Sequence, residues 1–360
     1  GAVQTKPGYK LSAGELVHTV VPAPGTWSIP GTKHMFRDSV RSGHGSANLM
    51  KAIQVSSDTF FYRLGFELGI EKAHPYLSQF GLGQQTGIDL PHEYRGVLPS
   101  PEWKEKRFAK LPPARRKWNV AEMVPISIGQ GYNAYTPLQM AHATATLANN
   151  GTVYRPHLVK ELLDHNKQQI TLIDPKPVRT LPFKQAHFNY IKAAMAKVLQ
   201  PGGTARKVGA GLKYSMGGKT GTAQVVQIAQ GKSYNAAALA VQHRDHAWFI
   251  AFAPLDKPKI AIAVILENGG WGANAAPLAR ALSDYYLLTL KAGGDREIPV
   301  DNSGKTTVAN PLLAGGAVQR PSENPVTRAF RAAQPEAAQT PASAPVSDGL
   351  PASAASEPKP

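Results

Sequence analysis

Apolar positions in the first half of the chain recur at helical spacing. Leu49, Met50 and Ile53 fall on one face of a segment that Ser46 is placed to cap. Asp58 opens a second helix with Phe61, Leu64, Phe66 and Leu68 as apolar anchors and Gly69 near its end. Thr136-Pro137 pairs a capping hydroxyl with proline at the first helical position, and that helix runs to Asn149-Asn150-Gly151. Residues 184–200 bring Phe188, Ile191, Met195 and Val198 together and stop at Pro201-Gly202-Gly203.

Beyond this point the period changes from helical to extended. Ala247–Ala253 and Lys259–Leu266 are apolar, β-branched and aromatic runs joined by Pro254-Leu255-Asp256-Lys257-Pro258, which predicts an antiparallel hairpin. Lys219–Val226 is expected to pair with that hairpin as the sheet edge, and Leu278–Leu290 to close the domain as a helix. The order predicts an α+β fold in a helical lobe and a sheet lobe.

Composition limits what this fold can be. With 360 residues and 42% hydrophobic content the chain buries a substantial core, and without cysteine it has no disulfide or thiolate metal site. No apolar run reaches the length of a membrane span. Residues 311–360 hold 9 Pro and 12 Ala, so a folded body over 1–292 is expected to be followed by a disordered tail over 293–360. The formal charge is +16, with a dense basic patch of Lys104, Lys106, Arg107, Lys110, Arg115, Arg116 and Lys117. The patch has no repeat or base-reading motif, so it reads as a solvated loop facing anionic lipid or polymer, and no nucleic-acid partner is expected.

The densest chemistry lies in Lys219-Thr220-Gly221-Thr222. An ammonium, two hydroxyls and a residue without a side chain, on an extended segment, suit a strand edge that holds a carboxylate and lets a peptide lie close. A phosphate loop is excluded, because glycine is required where Lys213 stands, and the second Gly-Lys-Thr run, at Gly304, has Pro299 there. Ser56-Ser57-Asp58 supplies a second polar cluster, although on local grounds Ser57 or Asp58 is as well placed to cap the helix that follows.

Ser-x-x-Lys, Ser-x-Asn and Lys-Thr-Gly together mark class A β-lactamases and penicillin-binding proteins. Here Ser56-Ser57-Asp58 and Lys219-Thr220-Gly221 fit the second and third motifs in order. The segments Phe36-Arg37-Asp38, Gly43-His44-Gly45, Thr59-Phe60-Phe61-Tyr62, Thr86-Gly87-Ile88-Asp89-Leu90, Ile128-Gly129-Gln130-Gly131-Tyr132, Thr136-Pro137-Leu138-Gln139-Met140, Ala223-Gln224-Val225 and Leu266-Glu267-Asn268-Gly269-Gly270 extend the likeness over residues 10–290. The chain resembles the penicillin-binding protein 2 family, elongation-specific class B peptidoglycan transpeptidases of rod-shaped Gram-negative bacteria.

The resemblance implies a penicillin-binding transpeptidase fold and attack by a serine on the D-Ala–D-Ala amide of a stem peptide, followed by transfer of the acyl group to an amine. It implies that Lys219, Thr220 and Thr222 hold the donor carboxylate and that Gly221 admits its backbone. The Thr222 N–H would be half of an oxyanion hole, and Ser56 a proton relay. Asp58 stands where most relatives carry asparagine and would favour a protonated lysine beside it. Gly129-Gln130-Gly131 and Asn268-Gly269-Gly270 read as turns, the first near the cleft. β-Lactams are implied ligands; a membrane glycosyltransferase and the scaffold of the rod complex are implied partners. The implied location is the periplasmic face of the inner membrane, anchored by an upstream segment. No cofactor is implied. Some relatives hold zinc with two Asp, a His and a Cys; Asp38 and His44 match two of those positions, but Ala23 and Ser57 fill the others, so no structural zinc is expected. Alternatives are a D,D-carboxypeptidase or β-lactamase of the same fold and a non-catalytic penicillin- or peptidoglycan-binding module.

The nucleophile motif has no counterpart in the folded region. The one Ser-x-x-Lys run is Ser356-Glu357-Pro358-Lys359, in the tail, and Val3 stands three residues before Lys6 of Thr5-Lys6-Pro7. Gly1–Leu11 therefore reads as the remainder of the nucleophile helix. The expected outcome for the 360-residue chain alone is no acylation, checked by fluorescent-penicillin labelling; a stoichiometric label would refute it.

Overall fold

The computed structural model describes residues 18–164, 169–226 and 238–290. The expected nucleophile-helix remnant, Ser356–Lys359 and the tail from residue 293 lie outside them. The first lobe opens with four short strands, β1 (Val21–Ala23), β2 (Thr26–Ser28), β3 (Met35–Arg37) and β4 (Gly45–Ala47). Helices follow: α1 (Leu49–Val55), α2 (Asp58–Leu68), α3 (Ile70–Ser78), α4 (Pro101–Arg107), α5 (Pro113–Arg116), α6 (Met123–Ile126) and α7 (Pro137–Ala148). Strands β5 (Thr152–Tyr154), β6 (Glu161–Asp164), β7 (Gln169–Leu172) and β8 (Pro177–Thr180) lead to α8 (Gln185–Lys197) and α9 (Arg206–Gly209). The main sheet is β9 (Gly217–Ala223), β10 (His246–Ala253) and β11 (Ile260–Leu266), closed by α10 (Ala276–Asp284).

The sheet is antiparallel in the order β11-β10-β9, which leaves β9 at an edge. β10, the central strand, has one face fully buried. Its alternate residues Ala247, Phe249, Ala251 and Ala253 join Val198 of α8 and Ala276 and Ala279 of α10 in the principal core. From the opposite face Phe252 meets Ala148 of α7 and Met195 of α8. Two glycines let β9 lie flat on this core. A Cβ on Gly218 would come within 2.5 Å of the Phe249 ring, and one on Gly217 within 2.8 Å of Phe252. They immediately precede Lys219, so their lack of side chains sets where that ammonium emerges.

Several local expectations are met. The predicted hairpin is β10–β11, in register from Ala247↔Leu266 to Ala253↔Ile260. α7 begins with a reciprocal capping box between Thr136 and Gln139. The Gln139 carboxamide, almost wholly buried, also donates to the carbonyls of Gln84 and Arg95.

Other expectations are corrected. α1 is capped by Asn48, whose Oδ1 accepts from Lys51 N at 2.9 Å, because Ser46 is held in β4 against Pro22. The buried large residues of α2 are Phe60 and Tyr62, while Leu68 is exposed, because two separate clusters flank that helix. The basic segment is two short helices rather than a loop. Lys104 is buried, with its Nζ 2.6 Å from Glu122 and donating to the Lys117 carbonyl at 2.7 Å. The closing helix is α-helical to Asp284 and π-helical over Tyr285–Leu290. No helix among the described residues is long and apolar enough to cross a membrane.

Replacing Gly218 with alanine drives a methyl group into Phe249 and is expected to lower stability by about 1–3 kcal/mol, read from urea unfolding midpoints.

Candidate active site

Ser56 terminates α1 in the left-handed region, φ 57 and ψ 53. A non-glycine residue pays about 1–3 kcal/mol to sit there, and such strain concentrates at functional sites. The turn points the Ser56 hydroxyl at β9, where Lys219 Nζ donates to Ser56 Oγ at 2.6 Å, joining residues 163 positions apart. Nζ also donates to the Thr220 carbonyl at 3.0 Å.

Burial pulls the Lys219 ammonium down to about 8, against the attraction of Asp58. Burial pushes the Asp58 carboxyl up to about 7; the Asp38 charge adds to this, and Lys219 and the Ser39 N–H oppose it. The attraction of Asp58 favours the charged form of Lys219 wherever that carboxyl is ionised. The same burial brings both groups close to titration.

Behind the second motif lies a hub that the sequence concealed. Asp38 is buried and accepts from the Val40 N–H at 3.0 Å, from Ser57 Oγ at 3.3 Å and from the Thr59 N–H at 3.3 Å. His44 Nε2 lies 3.0 Å from Oδ1, the oxygen that also accepts from Val40. Ser57 precedes α2 without capping it, since its hydroxyl is turned to Asp38. Asp38 therefore fixes the backbone on which Ser56 and Asp58 sit. The donor set does not fit a closed tetrahedral zinc site: Ala23 has no donor atom, and the Ser57 hydroxyl is committed to Asp38. Among the described residues no three His, Cys, Asp or Glu side chains converge on a point where a metal would sit.

Along β9, Thr220 and Thr222 share one face. Thr220 Oγ1 lies 2.8 Å from Thr204 Oγ1, on the loop after α8, and Thr222 Oγ1 accepts from the Gly272 N–H at 3.0 Å. Gly272 must be glycine for this contact, since a Cβ there would fall 2.2 Å from the Gly221 carbonyl oxygen. At Gly221 an added Cβ would press only on Trp248 Cβ, at 3.3 Å, so packing within the protein does not demand a glycine there. Gln130, between two positive-φ glycines, bonds the outer edge of β9 through the Thr222 carbonyl and the Gln224 N–H. The predicted turn does lie at the cleft. Asn268-Gly269-Gly270 is also a turn, with positive φ at Asn268 and Gly270.

The structure thus brings Ser56, Asp58, Lys219, Thr220, Gly221 and Thr222 to one place. Sequence reasoning missed Thr204, Gly272 and the hub role of Asp38. The signal for Thr204 was slight, a hydroxyl directly after Pro201-Gly202-Gly203.

An edge strand bearing Lys-Thr-Gly opposite a Ser-x-Asp helix end, in an α+β frame, defines the penicillin-recognising transpeptidase class. Residues 19–284 match the model of the penicillin binding protein transpeptidase domain, and the chain belongs to that family. It is 45% identical over 280 residues to peptidoglycan D,D-transpeptidase MrdA of Acinetobacter baumannii, covering 76% of this chain and 39% of that protein. Pseudomonas aeruginosa PBP2, solved in complex with WCK 5153, superposes with a TM-score of 0.63 at 36% identity, over 82% of this chain and 59% of that one. PBP2 of Helicobacter pylori, in its complex with MreC, gives 0.60 at 33% identity, over 76% and 46%. The chain spans about two fifths of the length of the MrdA relatives it matches.

The two shifted groups predict a pH signature. Between pH 3.8 and about 7 the folded Asp58 holds a proton that the unfolded chain has released, so its contribution to stability falls as pH rises through that window. Between about 8 and 10.5 the unfolded Lys219 holds a proton that the folded one has lost, so stability rises with pH there. Asp58→Asn is expected to flatten the first slope and lower the Lys219 pKa further. Urea unfolding from pH 4 to 10 checks the first, and NMR titration of the lysine Nζ the second.

Proposed function

We propose that this chain forms the donor-binding half of a peptidoglycan D,D-transpeptidase site that cross-links stem peptides during cell elongation. The observation that carries this is the 2.6 Å contact between Lys219 Nζ and Ser56 Oγ inside a buried site. The attacking serine would come from a Ser-x-x-Lys helix of a longer polypeptide. The transpeptidase domain would occupy residues 1–292 and be followed by a tail over 293–360.

Each residue then has a chemical task. The serine hydroxyl adds to the carbonyl carbon of the penultimate D-Ala, its proton passing to the lysine amine of the same Ser-x-x-Lys helix, and the carbonyl oxygen becomes an oxyanion. The Thr222 carbonyl points outward to Gln130, and in an antiparallel ladder the N–H of the same residue points the same way, so it is available to that oxyanion. Lys219 donates to Ser56 Oγ, leaving the Ser56 O–H free to hand its proton to the departing D-Ala amine as the C–N bond breaks, while Ser56 Oγ takes in turn the proton held by the lysine of the nucleophile helix. Thr222 Oγ1 already accepts from Gly272, so its own O–H is free to donate to the terminal carboxylate. Thr220 joins it there, and Lys219 supplies the countercharge. Gly221 leaves room for the donor peptide, and Asp58, where ionised, favours the charged form of Lys219. An amine of a neighbouring strand then displaces the serine from the acyl-enzyme.

β-Lactams fit the same site, because they present a carboxylate next to a strained amide. The likeness to a PBP2 solved with MreC supports a scaffold of the rod complex as partner, joined by a membrane glycosyltransferase. With such partners the domain would work on the periplasmic face of the inner membrane, anchored by an upstream segment.

In the intact polypeptide, Lys219→Ala is expected to slow β-lactam acylation by about 10²–10⁴-fold with native circular dichroism. Unchanged labelling would favour a non-catalytic penicillin-binding module.

A further inference from the structure

The outer edge of β9 is occupied from within. β10 uses the inner edge along the whole strand, and among the described residues no strand pairs with the other side. The Gln130 carboxamide sits there instead. Its Nε2 donates to the Thr222 carbonyl, and its Oε1 accepts from the Gln224 N–H at 3.3 Å. Residues 222 and 224 present their outward backbone groups on one edge. A primary amide that bonds both at once reproduces the donor and acceptor of a peptide group in an added strand. One step along, Lys219 Nζ covers the Thr220 carbonyl.

The side chain is aimed deliberately. Gly129 and Gly131, at φ 80 and 69, put Gln130 at the tip of a tight turn. Its own N–H donates to the Pro125 carbonyl at 3.0 Å, and Asn133 Nδ2 donates to the carbonyls of Ile126 and Gln130, both at 3.0 Å. The Tyr135 hydroxyl pins Asn133 Oδ1 at 2.6 Å. These bonds hold the backbone of the turn, while the contact of the Gln130 side chain with β9 rests on its two carboxamide hydrogen bonds.

We propose that the Gln130 carboxamide is a displaceable stand-in for the substrate's peptide backbone. It satisfies the edge of β9 when the cleft is empty and yields the Thr222 carbonyl to the amide N–H of an arriving extended ligand. This rests on the transpeptidase reading and deepens it, because it makes Gln130 a determinant of ligand selection. A ligand whose amide replaces both hydrogen bonds loses nothing by the exchange. One without such an amide leaves Gln130 in place or the strand edge unpaired. A contact competing with the ligand weakens apparent affinity in proportion to its occupancy. At the usual net value of a neutral hydrogen bond, two of them hold the edge closed by about 5-fold or more.

The test uses the intact polypeptide and two variants, Gln130→Ala and Gln130→Met; the second keeps the bulk but cannot bridge the edge. Amide exchange at Gln224 is expected to quicken about 5-fold in both. The half-saturating concentration of a penicillin with an acylamino side chain is expected to fall about 5-fold, with the limiting acylation rate changed less than 2-fold. A carbapenem, which has no such amide, is expected to gain less than 2-fold. Labelled wild type with an unchanged or raised penicillin half-saturation in both variants would overturn the proposal and leave the transpeptidase reading standing. Absence of any labelling in the wild type would sink that reading and this proposal together.

Discussion

A lysine ammonium taken out of water is tolerated only where fixed acceptors replace its hydration, and the geometry of this domain answers to that requirement at Lys219. Its Nζ has the Ser56 hydroxyl and the Thr220 carbonyl as acceptors, and Asp58 lends countercharge. The first acceptor comes from the end of a helix, the second from the edge of the main sheet. Holding them together requires Gly217 and Gly218 to let β9 settle on Phe249 and Phe252, and Ser56 to accept a left-handed turn. The register between α1 and β9 is therefore bound to the electrostatics of a single amine.

Asp38 performs the complementary task on the other side of the motif. A buried carboxylate with Val40, Ser57, Thr59 and His44 around it ties the β3–β4 segment to the start of α2. Its charge also reaches Asp58 and raises the carboxyl that faces Lys219. One carboxylate thus both positions the second motif and tunes it. The hydrogen bonds it receives compensate its burial, so the site sits in a low-dielectric setting without an orphaned charge.

The exposed edge of β9 carries a different constraint. An edge strand with open backbone groups invites pairing with any extended chain, which is hazardous in solution and useful in a peptide-binding cleft. Here the outward groups are covered by two side chains, Lys219 of the strand itself and Gln130 of a glycine-flanked turn. Thr204 and Gly272 meanwhile orient the two threonine hydroxyls. The chemistry of the four-residue motif is thus prepared by residues drawn from widely separated parts of the chain.

Local sequence determined the parts whose cause is local. The capping box of Thr136 and Gln139, the β10–β11 hairpin and the apolar face of α8 follow from period, caps and turn residues, and all stand as expected. The residue types of Lys219-Thr220-Gly221-Thr222 pointed to an anion-holding edge, while the relay role of Ser56 came only from the family resemblance. Tertiary structure decided the rest, because the deciding neighbours are remote. Ser46 lost its capping role to a strand pairing with β1, and α2 buried Phe60 and Tyr62 because two clusters meet it from different sides. A basic run in the sequence became two short helices, tied together by Lys104, which donates to the Lys117 carbonyl just after the second and pairs with Glu122 beyond it. The sequence around Gln130 showed a turn and that around Thr204 a lone hydroxyl after a glycine pair, but neither these nor the surroundings of Asp38 named the partner each one holds. A hydrogen-bond partner on another element, 16 residues away for Thr204 and 92 for Gln130, leaves no local periodicity, and only the folded chain brings the two together.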